Sequence, residues 1–503
     1  MGCNKEKKST PSVNNYGRAV KYLGIFGGAQ GISVFLSLVR NKCAWVLLGP
    51  SGLGIIALYN RTIQLFSDIT GLSLSLSAVR HMSDAYSNSD EQTVRHCVKV
   101  VRSIALLTGL VGMLLLLVMS PLVSQWTFGG SGYYTARIAM LSPVVLFMAV
   151  SGGELAILRG VKQPGKIAMY TLWTAVSAVL ATVPLYYAMG HAGIFPAILL
   201  VALLQMSGAL FFSTKLYPYK ASPFSATLLR RGLDIVKLGA GYIYASILVS
   251  GSIWLISQVL TNLDGEAATG LFTAGYVFVG MLPSILFAAF DSDYYPRLSG
   301  LFAQKRERDR MVNEHIEIHL LVQVPVILCV VVLLPWISRL LYSDDFMPAL
   351  QMTQIAVLAL TLHVVTYPIS FMPVSKGDTL IFAAQETVYN ISFVSFTLLG
   401  FYYHGWLGAG VGMAMARMVD LLVVYTIART RYSFRLSKSA SVYLIIALVL
   451  CLSTLYLIFV GDTWSTHLSF AVAGLSVALS LYALSRHGNF LASLFKRIFR
   501  KRV

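Results

Sequence analysis

VLLGPSGLGIIALYNRTIQLF, residues 46–66, decides the fold class. It is a run fit for lipid, interrupted by Gly-Pro-Ser-Gly after Leu48 and by one arginine, Arg61. The whole chain repeats this character. Its 503 residues are 56% hydrophobic and only 12% charged, with a mean hydropathy of +0.70, against about 25% charged in a soluble domain. Apolar stretches of about 20 residues, enough to cross a hydrocarbon core of roughly 30 Å, recur from Tyr22 to Leu484. They number about fourteen. The expected spans are 18–46, 52–79, 98–122, 137–158, 165–189, 192–214, 236–260, 269–293, 316–342, 348–372, 379–401, 405–429, 441–460 and 467–485.

The net charge of +18 is distributed by topology. Lysines and arginines gather at the N-terminus (Lys5, Lys7, Lys8, Arg18), at Arg95, Lys99 and Arg102, at Arg159 to Lys166, at Lys215 to Arg231, at Arg297 to Arg310, at Arg429 to Lys438 and in the tail from Lys496. The intervening loops, 189–192, 261–268, 402–405 and 461–466, carry almost none. This positive-inside pattern places both termini in the cytoplasm and removes nucleic acid as a partner. The first apolar segment exceeds a signal-peptide core, which reads as a retained helix. Cys3, Cys43, Cys97, Cys329 and Cys451 lack the spacing of a zinc site or disulfide framework.

Shifted by 216 positions, the chain brings Val20 onto Val236, Lys21 onto Lys237, Gly49 onto Gly265, and Gly54 onto Gly270. Each half has a basic amphipathic start, a long helix, an outer Gly-containing loop (LGPSGLG, LDGEAATG) and a second helix. The expectation is an all-α integral membrane protein of two pseudo-symmetric six-helix lobes in parallel orientation, residues 1–222 and 223–436, followed by two helices and a basic tail in 437–503. KLYPYKASPFSA, 215–226, links the lobes, and no loop is long enough for a catalytic domain.

Two motifs invite other readings. GPSGLG is not a nucleotide loop, because Ile55 and Ile56 stand where GxxxxGK[ST] needs lysine and a hydroxyl; it serves a chain reversal. NEHIEIHL, 313–320, sets His315 and His319 on one helical face without the order of HExxH or a third ligand. DSD at 291–293 reads as an interfacial cap.

Charges at membrane depth point to function. Arg61 lies about 15 Å into its helix, where an arginine costs roughly 2.5–3.5 kcal/mol unless it faces a polar interior. Gln64 and Asp68 follow on the same face. Arg417 and Asp420 repeat the theme in the twelfth span, with His363, Glu386 and Glu154 completing the deep set and Arg40 and Lys42 near the outer end of the first helix. Cations in both lobes suit an anion. The carboxylates either anchor those cations or titrate as coupling sites.

VRNKCAWVLLGPSGLGIIALYNRTIQLFSDITGLSLSLSAVRHMSDA, 39–85, resembles the first-loop and second-helix signature of the Wzx-type oligosaccharide flippases of the multidrug/oligosaccharidyl-lipid/polysaccharide superfamily. The resemblance implies a V-shaped pair of lobes that opens alternately to either side. It implies transport of undecaprenyl-diphosphate-linked oligosaccharide across the bacterial cytoplasmic membrane, and no enzymatic activity. The implied partners are that lipid-linked oligosaccharide, membrane lipids and a polysaccharide polymerase complex. On this reading Arg61, Arg417, Arg40, Lys42, Gln64 and His363 contact the diphosphate or glycan, and Asp68, Glu154, Glu386 and Asp420 couple transport to a proton or sodium gradient, with no other cofactor. Pro143, Pro283 and Pro368 are flex points for lobe rocking. The alternatives are a multidrug cation antiporter of the same superfold, which arginines in both lobes disfavour, and a membrane polysaccharide polymerase or ligase, which lacks its external loop here.

Overall fold

The computed structural model describes residues 14–71, 78–79, 82–83, 85–86, 91–128, 132–221 and 226–486, with side chains described outside 14–27, 226–240, 284–293, 295–296 and 486. The N-terminal lysines, the DSD triplet and the basic tail therefore lie outside the described side chains. The described residues are all-helical and contain no strand. In order they form α1 (Asn14–Gly71), α2 (Glu91–Phe128), α3 (Gly132–Gly160), α4 (Pro164–Met189), α5 (Ile194–Thr214), α6 (Ala226–Leu301), α7 (Lys305–Tyr342), α8 (Met347–Lys376), α9 (Thr379–Arg431), α10 (Lys438–Val460) and α11 (Thr463–Arg486). Ten helices among the described residues are long and apolar enough to cross a membrane, with α4 and α5 joined through a short 3₁₀ turn into one of them. Large apolar side chains such as Val118, Leu180, Leu452 and Tyr456 stand outward, as lipid-facing residues do. This is a multi-pass membrane protein.

Three of the long helices are interrupted. Gly49 in α1 has φ 69° and ψ −173°, Gly265 in α6 has φ 77° and ψ −179°, and Gly405 in α9 has φ 57° and ψ −141°. The first two occupy a region essentially closed to residues with a Cβ. Where the sequence suggests outer loops, the chain uses one or two non-helical residues. Two of these breaks fold the helix back on itself. Thr269 Oγ1 donates to the Ser257 carbonyl at 2.8 Å across 12 residues of sequence, which a continuous helix would stretch to about 18 Å. In α9 a Cβ on Gly400 would strike the Gly408 carbonyl, and one on Gly408 the Gly400 carbonyl. Glycine lets these two backbones touch.

The chain divides into two compact units, Met1–Gly52 with Tyr59–Ile247, and Leu53–Leu58 with Leu248–Val503. Gly49 and Gly265, partners at the 216-residue shift, share one unusual conformation. Glu91 pairs as a helix start with Lys305, Gly132 with Met347 and Pro164 with Thr379, each within two residues of that shift.

Each unit also secures the chain that follows its last paired helix through a buried arginine. In the first, Arg102 on α2 donates to the Tyr217 and Pro218 carbonyls. In the second, Arg308 on α7 donates to the Tyr432 carbonyl, while Asn313 bonds the Arg435 carbonyl and the Ser437 amide. Pro143 and Pro368 lie inside α3 and α8.

Candidate functional site

The second unit encloses a cavity of about 200 Å³ between α6, α8 and α9. Helical spacing builds its walls. α8 contributes His363, Thr366 and Ser370; the first half of α9 contributes Gln385, Glu386, Tyr389 and Asn390; the second half contributes Arg417, Asp420 and Val424. Each set repeats at three or four residues, so each comes from one helical stripe. Four residues singled out in the sequence therefore meet here: His363, Glu386, Arg417 and Asp420.

Arg417 is the hub. Its Nη1 donates to His363 Nδ1 at 3.1 Å and lies 3.4 Å from Asp420 Oδ2, and its Cζ sits 4.2 Å from the centroid of the Tyr389 ring. Guanidinium has no acceptor, so His363 Nδ1 is the accepting atom of this pair. Thr366 Oγ1 adds a 3.3 Å contact to Asp420 Oδ2. Arg417 and Asp420 are 17% and 12% exposed, so each keeps a path to the cavity. With Glu386 on the same wall, one guanidinium faces two carboxylates. Thr366, Gln385, Tyr389 and Asn390 are absent from the sequence reading; counting one helical turn on from Glu386 would have found Tyr389 and Asn390.

The first unit has a separate hollow of about 110 Å³ around Arg40, walled by Ser33, Ser37, Thr174 and Gln205 from α1, α4 and α5. The Ser37 hydroxyl is taken by the Ser33 carbonyl at 2.9 Å, leaving the guanidinium as the charged group of this pocket. Lys42, two residues on, is exposed, and Arg61 is half-buried. Gln64 Nε2 donates to Asp68 Oδ1 at 3.0 Å, as their shared face requires.

Glu154 is placed differently. Its Oε1 and Oε2 accept from Arg102 Nε and Nη2 at 2.8 and 3.0 Å, and both side chains are 1% exposed. Arg102 also reaches Ser213 Oγ at 3.2 Å. This packed fork ties α2, α3 and the end of α5 together, apart from both cavities. His319 Nδ1 pairs with Gln323 Nε2 at 3.1 Å and His315 Nδ1 with the Met311 carbonyl at 3.1 Å. Among the described residues no group of three or more His, Cys, Asp or Glu side chains forms a metal cluster.

The family model for polysaccharide biosynthesis proteins matches residues 20–302, more than half of the chain. The chain belongs to the polysaccharide biosynthesis protein family. No curated protein shows significant sequence similarity to this family member. In fold it is similar to the lipid II flippase MurJ in an inward closed conformation, with a TM-score of 0.68 at 14% identity, covering 92% of this chain and 99% of MurJ. It is similar to an inward-facing multidrug resistance MATE family transporter of the MOP superfamily, with a TM-score of 0.63 at 16% identity over 80% of this chain and 94% of that one. A MOP superfamily transporter from Pyrococcus furiosus follows, at a TM-score of 0.60 and 14% identity over 83% and 95%. These likenesses are of fold. The structural relatives are transporters and a flippase.

Proposed function

We propose that this polysaccharide biosynthesis protein is a flippase. It carries undecaprenyl-diphosphate-linked oligosaccharide from the inner to the outer leaflet of the bacterial cytoplasmic membrane for surface polysaccharide assembly. The three helix interruptions and the short turn between α4 and α5 support fourteen crossings, arranged as six, six and two with both termini cytoplasmic. The observation that carries the proposal is family membership in a chain that holds guanidinium groups within membrane-spanning helices. A diphosphate is a dense anion, and arginine binds phosphate oxygens through paired N–H donors. Arg40 in its polar hollow, with Arg61 and Lys42, serves the diphosphate. Gln64 and Asp68 lie along the same helix as Arg61. In the second unit the extra carboxylate makes Glu386 and Asp420 the groups that couple transport to a proton or cation gradient. Arg417 and His363 orient them. Glu154 belongs to a packed pair and serves stability.

The decisive cellular test is deletion of the gene in its own host. Surface polymer should be lost while the lipid-linked unit accumulates on the inner leaflet, and the native chain should restore both. Loss of polymer without that accumulation would favour a polymerase and sink the proposal.

The same carboxylate excess favours one second reading, an organic-cation antiporter like the multidrug relatives. Strong, specific protection against cationic drugs on expression would select it.

A further inference from the structure

The first unit carries a second group of cations that the transport reading leaves without a role. α2 has 38 residues, about 57 Å at 1.5 Å per residue, nearly twice the roughly 30 Å of hydrocarbon. Its uncharged part runs from Ser103 to Phe128. That part alone is long enough to cross the hydrocarbon, which leaves the first three turns, with Glu91, Arg95, Lys99 and Arg102, for the headgroup layer.

A cavity of about 290 Å³ opens there, walled by Gln92, Arg95, His96, Lys99, Tyr217 and Lys220. Its floor is fixed. Arg102, 2% exposed, grips Glu154 and the carbonyls of Tyr217 and Pro218, and so holds the segment bearing Lys220 against α2. Its charge is unbalanced. Glu91 offsets Arg95 at 2.7 Å and Glu154 offsets Arg102 at 2.8 Å. Among the described residues no carboxylate lines the wall, so Lys99 and Lys220 leave two positive charges on the wall of a pocket that an amide and an imidazole also line.

We infer that this cavity is a binding site for a phosphate group, presented by an anionic lipid headgroup or as a free phosphate. Two ammonium groups match a phosphate in charge, and basic pockets between membrane helices at the cytoplasmic surface recognise phosphate-bearing headgroups. The rigid floor prearranges the walls, which lowers the ordering cost of binding. The site is independent of the flippase reading, because none of its wall residues lies in either transport cavity.

The test uses the purified full chain in detergent, with phosphatidylglycerol, phosphatidylcholine and inorganic phosphate as probes. Native mass spectrometry reads lipid retention, and thermal unfolding reads the response to phosphate. The native chain should retain phosphatidylglycerol over phosphatidylcholine. At about 1 kcal/mol per lysine near the surface, Lys99→Gln/Lys220→Gln should weaken that retention about thirtyfold while unfolding at the native temperature. Stabilisation by phosphate without lipid preference, lost in the same variant, would assign the site to a free phosphate. If the double variant fails to fold, Lys220→Glu alone carries the test, since Lys220 is exposed. No preference for phosphatidylglycerol together with no response to phosphate, or equal binding by native chain and variant, overturns the inference.

Discussion

At the scale of single residues, burial separates carboxylates that hold the fold from those that can work. Glu154 and Arg102 are both 1% exposed and joined by two hydrogen bonds. Removing one partner of such a pair costs about 3–5 kcal/mol, because the other charge stays buried alone, whereas replacing both with apolar residues costs far less. Arg102→Met should therefore lower unfolding stability in micelles by about that amount, and Arg102→Met/Glu154→Leu should recover part of it, the Tyr217 and Pro218 carbonyls losing their donor in both variants; equal losses would remove the pair from this role. Asp378, in the turn between α8 and α9, illustrates the other end of the scale. The Tyr432 hydroxyl donates to it at 2.8 Å, and with Lys376 and Arg431 nearby it holds the carboxyl below the usual carboxylate range. The folded state thus favours the ionised form. The stabilisation is present above the unfolded pKa of about 3.9 and is lost as pH falls through the lower folded value. Asp378→Asn should be less stable than the native chain at neutral pH, with the difference shrinking below about pH 4, as pH-dependent thermal unfolding would reveal. Residue-level reading of the sequence found the charges but not their partners. Arg102 and Glu154 are 52 positions apart, and only packing brings them together.

At the scale of elements, glycine conformation carries the topology. A Cβ at Gly49 or Gly265 meets no neighbour within 4 Å, so a substitution there acts through the backbone alone. Gly49→Ala and Gly265→Ala should each destabilise by about 1–3 kcal/mol, measured by denaturant unfolding, and a neutral result at either would show that the break tolerates a side chain. These turns were legible as Gly-containing reversals. Their compactness was not, because a single residue at positive φ leaves no polar loop in the sequence. The cavity in the second unit was half legible for a related reason. His363, Glu386, Arg417 and Asp420 stand out as charged or titratable residues in apolar helices. Gln385, Tyr389 and Asn390 do not, since neutral polar and aromatic residues are common in such helices. Glu386→Gln removes the excess carboxylate while leaving the Arg417–Asp420 pair intact. Transport by that variant should lose its dependence on the ion gradient; retained dependence would take Glu386 off the coupling path.

At the scale of the whole molecule, membership of the polysaccharide biosynthesis family and a fold shared with a lipid II flippase and with MATE transporters leave the transported molecule to be decided by charge. Composition and positive-inside loops made the membrane class and helical architecture readable, because lipid permits few ways to satisfy a backbone. Cargo is harder to read, since it rests on a few side chains assembled from distant helices. The central claim is that guanidinium groups in the first unit bind the diphosphate of a lipid-linked glycan. Translocation of fluorescent undecaprenyl-diphosphate oligosaccharide in proteoliposomes, comparing the native chain with Arg40→Ala and Arg61→Ala variants of native thermal stability, tests it most directly. The account predicts transport by the native chain and a loss of about tenfold or more in each variant, the equivalent of one charged hydrogen bond. Equal transport by all three would contradict the assignment of the diphosphate to these arginines, and export of an organic cation with no movement of the lipid-linked glycan would contradict the flippase itself.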